Sequence, residues 1–215
     1  MKILNLDSGI GGNRHLWGDN HSITAVEINP EIAAIYKSNN PDDNVIIVDA
    51  HEYLLQNYDK FDFIWTSPPC QSHSKMMKAT RHDVRKYPNM QLYQRIILLN
   101  NFFNGYWIVE NVNPYYKPLI PPTRKVGRHL FWANFKFEVP EIPKIKDFIN
   151  KSNKKAAQQL KDWLGIQYKG DVYYDGNHCP CQVLRNCVHP KIGESILNQV
   201  NKMYHSNQYH QIKLF

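Results

Sequence analysis

The stretch from Phe61 to Ser74, FDFIWTSPPCQSHS, limits the fold more than any other part of the chain. Phe61 to Trp65 is an apolar run of buried-strand length, rich in aromatic and branched side chains. Ser67-Pro68-Pro69 ends it, because proline cannot donate to a sheet ladder. Cys70 therefore sits just past a strand end, held by two rigid residues. In an open α/β sheet ligands gather at the carboxyl ends of the strands, which places this thiol for chemistry. A loop cysteine is otherwise a small buried hydrophobe, so the rest of the chain has to decide between the two.

Elements of the right kind flank it. Lys2 to Leu6 reads as a short strand, and Asp7-Ser8-Gly9-Ile10-Gly11-Gly12 turns it towards a helix from Arg14 to Trp17. Glycines between strand and helix let the backbone approach a ligand closely. Ser22 to Glu27 is a second strand with an acidic end, where nucleotide-binding α/β folds hold ribose hydroxyls. Pro30 opens a helix whose apolar pattern runs through Tyr36, and a third strand, Asn44 to Val48, leads to Asp49. Farther on, a helix from Gln91 to Phe103 precedes a fifth strand, Tyr106 to Val109, which ends at Glu110-Asn111-Val112. A second ionisable group thus reaches the carboxyl edge. A proline-rich passage, Pro114 to Pro122, leads to Arg128-His129-Leu130-Phe131-Trp132 and a hairpin ending at Val139. Strands alternating with helices predict an α/β fold with a doubly wound, mostly parallel sheet.

Two segments interrupt this alternation. Gln71 to Met90 is polar and basic, with Lys75, Lys78, Arg81, Arg85 and Lys86, and its place after Cys70 makes it a candidate phosphate-contacting lid. From Pro140 to Cys181 the chain is lysine-rich and irregular apart from a helix over Lys154 to Leu164, which predicts a small separate lobe. A regular pattern returns over Val183 to Val188, and Pro190 to Tyr204 reads as helix. The expected division is a core of residues 1–139 and 182–205, a lobe of 140–181 and a polar tail of 206–215 that frays.

Charge narrows the partners. With 26 Lys and Arg against 19 Asp and Glu, the net charge of +7 and pI near 9.1 favour a polyanion, nucleic acid first. No apolar run approaches the roughly 20 residues of a membrane span, and the start MKILNLDSGIGG is no signal peptide, so the expected location is cytoplasmic. Four cysteines, three of them late in the chain, make no disulfide framework at this length. His178-Cys179-Pro180-Cys181 with Cys187 and His189 suggests zinc, but cysteines one residue apart suit a closed tetrahedral site poorly, and no metal is expected.

The order of these features resembles the DNA cytosine-5 methyltransferases, and in its compact size the small bacteriophage enzymes of that family. The likeness runs through LDSGIGG, AVEINP, VDAHEYL, PPCQ, ENV, GRHLFW and LRNCV, covering roughly residues 1–138 and 182–200. The Pro-Cys-Gln and Glu-Asn-Val motifs are its specific parts. It implies S-adenosylmethionine as methyl donor, held by Ser8, Gly9, Ile10, Gly11, Gly12, Glu27, Ile28, Asp49, Ala50, Pro68, Asn186 and Val188. Glu27 would take the ribose hydroxyls and Asp49 the adenine amine.

Carbon 5 of cytosine is too poor a nucleophile to be methylated unaided, so a thiolate first adds to carbon 6. The resemblance gives that thiolate to Cys70, gives Glu110 the ring nitrogen at position 3, and lets Arg128 orient the base. Gln71, Ser72, Lys75, Lys78, Arg81 and Asn111 would meet the substrate, a cytosine flipped out of double-stranded DNA. A monomer is expected, with or without a companion restriction endonuclease. Two alternatives stay open, a tRNA cytosine-5 methyltransferase and a catalytically silent DNA- or donor-binding homologue. The chain departs from the family in having Asp7 where an aromatic residue is usual, Asn5 where an acidic one is, Arg185 in place of a glycine, and no glutamine near Val126.

Overall fold

Apolar runs bounded by turn residues become the strands, and capped amphipathic runs the helices. The computed structural model describes residues 1–75, 87–145, 153–174 and 179–212, with side chains as far as 206. Lys78, Arg81, Arg85, Lys86 and His178 lie outside the described residues. The first half of the chain runs β1 (Lys2–Leu6), β2 (Ser22–Val26), α1 (Pro30–Asn39), β3 (Asn44–Ile46), α2 (Ala50–Asn57) and β4 (Phe63–Thr66). The second half runs α3 (Gln91–Phe102), β5 (Tyr106–Val112), β6 (Arg124–Val126), β7 (His129–Ala133), α4 (Lys154–Leu164), α5 (Cys181–Arg185) and α6 (Pro190–Ile212).

The chain divides into two compact units. The first contains residues 1–7, 21–28 and 48–136, and its strands lie in the order β2-β1-β4-β5-β7-β6. β2, β1, β4 and β5 are parallel, while β7 runs antiparallel to β5 and to β6. This is the mixed α/β, mostly parallel sheet expected from the alternation. Every residue of β4 is buried, as are Ile3 to Leu6 of β1, so these strands are covered on both faces without alternation, the polar Asn5 and Thr66 included. The second unit contains residues 8–20, 29–47 and 137–215. Its core is formed by Ile10, Ile32, Ala156, Ala157, Leu160, Leu164, Ile166 and Val172 with Cys181, Val183 and Leu184 of α5. Asn153 caps the start of α4, and Gly165, left-handed at φ 69°, ends it.

Several expected elements differ. No helix forms over Arg14 to Trp17, where turns follow one another from the Gly11 carbonyl, which accepts from the amides of both Arg14 and His15. The hairpin lies earlier than expected, because β6 and β7 are joined through Gly127, left-handed at φ 57°. After Ala133 the Asn134 side chain takes over the sheet's hydrogen bonds, accepting from the Trp107 amide and donating to the Gly105 carbonyl, and no strand continues towards Val139. The regular stretch near Val183 is the short helix α5, and α6 extends past Tyr204 to Ile212, so the backbone of the expected tail is largely helical. Helix α2 follows from an Asp at its N-cap and a Glu at its third position, a signature that Asp49-Ala50-His51-Glu52 carries in full.

Candidate active site

Strand register determines what meets at the carboxyl edge of the first unit. Val26, Leu6, Thr66 and Val109 lie side by side across β2, β1, β4 and β5. The next residue along each strand gives a second row, Glu27, Asp7, Ser67 and Glu110. Three carboxylates and a hydroxyl therefore end up along one edge. Glu110 is 5% exposed, and burial raises its pKa to about 7. A hydrogen bond with Ser67 and the charge of Arg128 pull it down, while Asp7 pushes it up. His129 Nδ1 lies 3.4 Å from Glu110 Oε1. Burial, and then Arg128, lower the His129 pKa to about 3, so the imidazole is neutral and this contact is not an ion pair.

Cys70 is half-buried in the loop after β4. Burial raises its thiol to about 11, the Glu110 charge adds to the rise, and Arg128 opposes it. The loop is pinned on both sides of the cysteine. Asn111 Nδ2 donates to the Pro68 carbonyl at 2.8 Å, and the amides of His73 and Ser74 donate to the Cys70 carbonyl at 3.0 Å each. His73, fully buried, has Nδ1 2.6 Å from the Tyr116 hydroxyl, and its carbonyl accepts from the Tyr115 amide. Tyr93 in turn donates to Tyr116. The thiol's carrier is thereby a rigid element.

In the second unit the glycine turn makes a narrow backbone cradle. A Cβ at Gly11, whose φ is 85°, would stand 3.1 Å from both Tyr36 and Asn40, and one at Gly12 would stand 2.6 Å from Cys187 Cβ and 2.8 Å from the Val188 carbonyl. The turn thus lies directly against the residues between Asn186 and Val188. Ser8 is 6% exposed, and its hydroxyl has no partner among the described residues.

The family described as C-5 cytosine-specific DNA methylase matches residues 1–118, more than half of the chain. The chain belongs to this family. Two curated relatives are the tRNA (cytosine(38)-C(5))-methyltransferases of Mus musculus and Spodoptera frugiperda. The mouse protein is 28% identical over 117 residues, 47% of this chain and 28% of its own. The Spodoptera protein is 36% identical over 118 residues, 52% of this chain and 35% of its own. The chain thus aligns with about a third of the length of these relatives. The S. pombe Dnmt2 methyltransferase has the same fold, with a TM-score of 0.58 at 15% identity, covering 95% of this chain and 99% of that one.

Membership implies S-adenosylmethionine as the methyl donor, and the residues fit such a group. The cradle at Gly11 and Gly12 would be filled by any side chain, and the Ser8 hydroxyl in the same turn is buried with no partner among the described residues. In the first unit, Glu27 is buried at the end of β2 beside Ile28, whose side chain is 63% exposed. Asp49 is exposed at the start of α2, where its Oδ1 accepts from the amides of His51 and Glu52. Ala50 and Pro68 are buried. Asn186 Oδ1 accepts from Gln182 Nε2 at 2.7 Å, and Val188 is buried.

Among the expected substrate residues, Gln71 and Lys75 are exposed, and Ser72 accepts from the Asn89 amide. Asn111 is 1% exposed and holds the Pro68 carbonyl, so it acts on the Cys70 loop and does not reach outward. Arg128 is exposed at the β6–β7 turn, with its charge felt by both Cys70 and Glu110. In the second unit the late thiols have protein partners. Arg185 Nη1 lies 3.6 Å from Cys179 Sγ, Cys181 donates to the Asn153 carbonyl and Cys187 to that of Val183. Among the described residues no cluster of three His, Cys, Asp or Glu could hold a metal ion, and no helix is long and apolar enough to cross a membrane.

Sequence reasoning missed Arg95. It projects from α3, is 2% exposed, pairs with Asp7 and donates to Thr66 Oγ1 at 2.6 Å. The signal was an arginine inside the apolar stripe of Leu92, Ile96 and Leu99. Asp7, left-handed at φ 53°, also accepts from Thr66 Oγ1 at 3.0 Å.

Proposed function

We propose that the protein transfers a methyl group from S-adenosylmethionine to carbon 5 of cytosine, with double-stranded DNA as substrate. Cys70 is the nucleophile and Glu110 the proton donor. The observation that carries this reading is the pairing of a thiol pinned on both sides with a buried carboxyl group whose pKa is near 7 and whose charge the thiol feels.

The thiol gives its proton to solvent as sulfur bonds to carbon 6, and Glu110 delivers its own proton to ring nitrogen 3, so no negative charge accumulates on the ring. Carbon 5 becomes enamine-like and takes the methyl group that the donor's sulfonium makes reactive. Carbon 5 then loses its proton to solvent, ring nitrogen 3 returns its proton to Glu110, and the Cys70 sulfur leaves as thiolate, which restores the aromatic ring. Deprotonating Cys70 is easier once Glu110 is neutral, since the Glu110 charge is part of what holds the thiol high. Arg128 favours both anions and orients the base between them. The cytosine is flipped out of the duplex to reach Cys70, and residues 140–181 recognise the surrounding sequence.

Incubation with labelled donor and duplex DNA tests this. Label should enter DNA at carbon 5, and Cys70→Ala should abolish it. No incorporation by wild type, or undiminished incorporation by the variant, refutes the proposal. A second reading keeps the chemistry and makes tRNA the substrate. It is favoured by the two curated relatives, both named as tRNA cytosine methyltransferases. The same assay with tRNA in place of DNA separates the two.

A further inference from the structure

We infer that Arg95 and Asp7 are a pair of positioning residues that fix the carboxyl ends of β1 and β4 together and set the charge Glu110 meets from that side. The inference rests on the methyl-transfer reading, because it assigns the pair a role in readying Glu110.

Geometry carries it first. Asp7 stands one residue beyond β1 in the left-handed region, which aspartate tolerates better than most non-glycine residues, and its side chain is held in place by its neighbours. Two groups do so. Thr66, the last residue of β4, donates to Asp7 Oδ2 at 3.0 Å, and the guanidinium of Arg95 pairs with the same oxygen while donating to the threonine. One arginine from α3 thereby ties two adjacent strand ends at the point where β4 gives way to Ser67 and the Cys70 loop. Arg95 is 2% exposed, and its Nε has no partner among the described residues. A buried arginine placed only for stability would be expected to use that donor too.

Charge carries it further. The groups facing Glu110 are Ser67 from the loop after β4, Arg128 and His129 at the β6–β7 turn and the start of β7, and Asp7 from β1. Cys70 also feels the Glu110 charge. Arg128 is exposed, so solvent weakens its field, and His129 is neutral. Asp7 is the nearby anion that favours the protonated carboxyl, and Arg95 is its counterion. Remove the arginine and Asp7 acts on Glu110 undiminished. Remove the aspartate and an unbalanced cation is left that favours the carboxylate. A pair that merely held the fold would give losses of activity without this opposition of sign.

The experiment is a pH profile of methyl transfer for wild type, D7N, R95M, R95K and the D7N/R95M double variant. Glu110 acts protonated, so transfer falls as pH rises through its pKa. That alkaline limb should move to higher pH in R95M and to lower pH in D7N, each by roughly one pH unit as a neighbouring charge does. It should lie near the wild-type position in R95K and in the double variant. Asn is at home in the left-handed region, so D7N keeps the backbone. Shifts of the same sign, or none, overturn the inference. If R95M does not fold, the comparison of D7N with the double variant decides, since adding R95M must undo the D7N shift. If wild type transfers to neither DNA nor tRNA, the methyl-transfer reading fails by itself. The pair can then still be judged by following the Glu110 carboxyl carbon by NMR through the same titrations.

Discussion

Each compact unit buries an arginine against an aspartate, and the two pairs are finished differently. In the second unit Arg14 grips Asp43 with two parallel hydrogen bonds, Nε to Oδ2 at 2.8 Å and Nη2 to Oδ1 at 3.0 Å. Tyr36 donates to the same carboxylate at 2.7 Å, and Lys37 Nζ to the Asp43 carbonyl at 2.6 Å. In the first unit Arg95 reaches Asp7 through one nitrogen, leaves Nε unpartnered, and the aspartate is in left-handed backbone. The fork-shaped pair fixes the turn from Gly11 through Arg14 to α1. The one-handed pair stands beside an ionisable row and trades bonding for influence on it. Satisfied buried pairs stabilise or at least specify a fold; an incompletely satisfied one at a strand end marks a place where charge is being arranged.

That contrast is broken most severely by cutting both pairs. Arg14→Met should lower stability by about 3–5 kcal/mol, because Asp43 is left buried without its cation. Arg95→Met should cost less, since the Asp7 side chain is 16% exposed against 2% for Asp43 and water can reach it. Urea unfolding of both variants measures the difference. Equal losses would mean that the two pairs do the same structural job.

The next effect has the opposite sign. The Glu110 pKa is raised from 4.5 to about 7 in the folded chain. Below pH 4.5 the carboxyl is protonated whether folded or not, and it costs nothing. Between 4.5 and 7 the unfolded chain releases the proton while the folded one keeps it, so stability falls with rising pH and levels off above 7. The full difference is about 3 kcal/mol. Glu110→Gln should therefore stabilise the protein by up to that amount at pH 8 and by nothing at pH 4, while transfer is lost. Unfolding measured at both pH values checks it. A carboxyl group kept protonated towards neutral pH costs fold stability, which the Arg14 clamp does not.

Smaller again is the effect of crowding the glycine turn. Gly12→Ala would place a Cβ 2.6 Å from Cys187 Cβ and 2.8 Å from the Val188 carbonyl, so the turn and the segment behind it must part. An overpacked core position costs about 1–3 kcal/mol. Donor binding followed by calorimetry should weaken together with the melting temperature, because the same backbone would serve both.

Much of this was legible from the residues, and the reasons for the rest are local. Strands β1 and β4 and helix α4 announce themselves by composition and punctuation, and Cys70 by its place after a strand, whereas Glu110, expected just past the fifth strand, lies inside β5 and pairs with Phe131 of β7. The register row that sets Asp7, Ser67 and Glu110 side by side depends on which strands pair, and no local pattern carries that. Arg95 was hidden because it lies in an apolar stripe, where a single charge reads as an exposed exception although it is buried. The helix expected over Arg14 to Trp17 was a mistake of the same kind. Arg14 is turned inward to Asp43, and that long-range bond outweighs the local preference for helix.

Asp49 gives the finest comparison, because one carboxylate is asked to do what the two arginine pairs divide between them. Its Oδ1 caps α2 by accepting from His51 at 2.8 Å and Glu52 at 2.9 Å, a structural duty. The family likeness would add a second duty, accepting from the adenine amine of the donor, for which Oδ2 is suited. The two duties respond differently to substitution. Asn caps a helix as well as Asp does, whereas Ala loses the cap at about 1 kcal/mol. Asp49→Ala should therefore lower the melting temperature and weaken donor binding. Asp49→Asn should keep the melting temperature and weaken donor binding only, since its amide can turn a donor towards another donor. If Asp49→Asn binds the donor as wild type does, the cap is the whole of Asp49's role. The adenine would then be held by the neighbouring backbone and by the exposed Ile28 side chain, an apolar grip with no charged group in it.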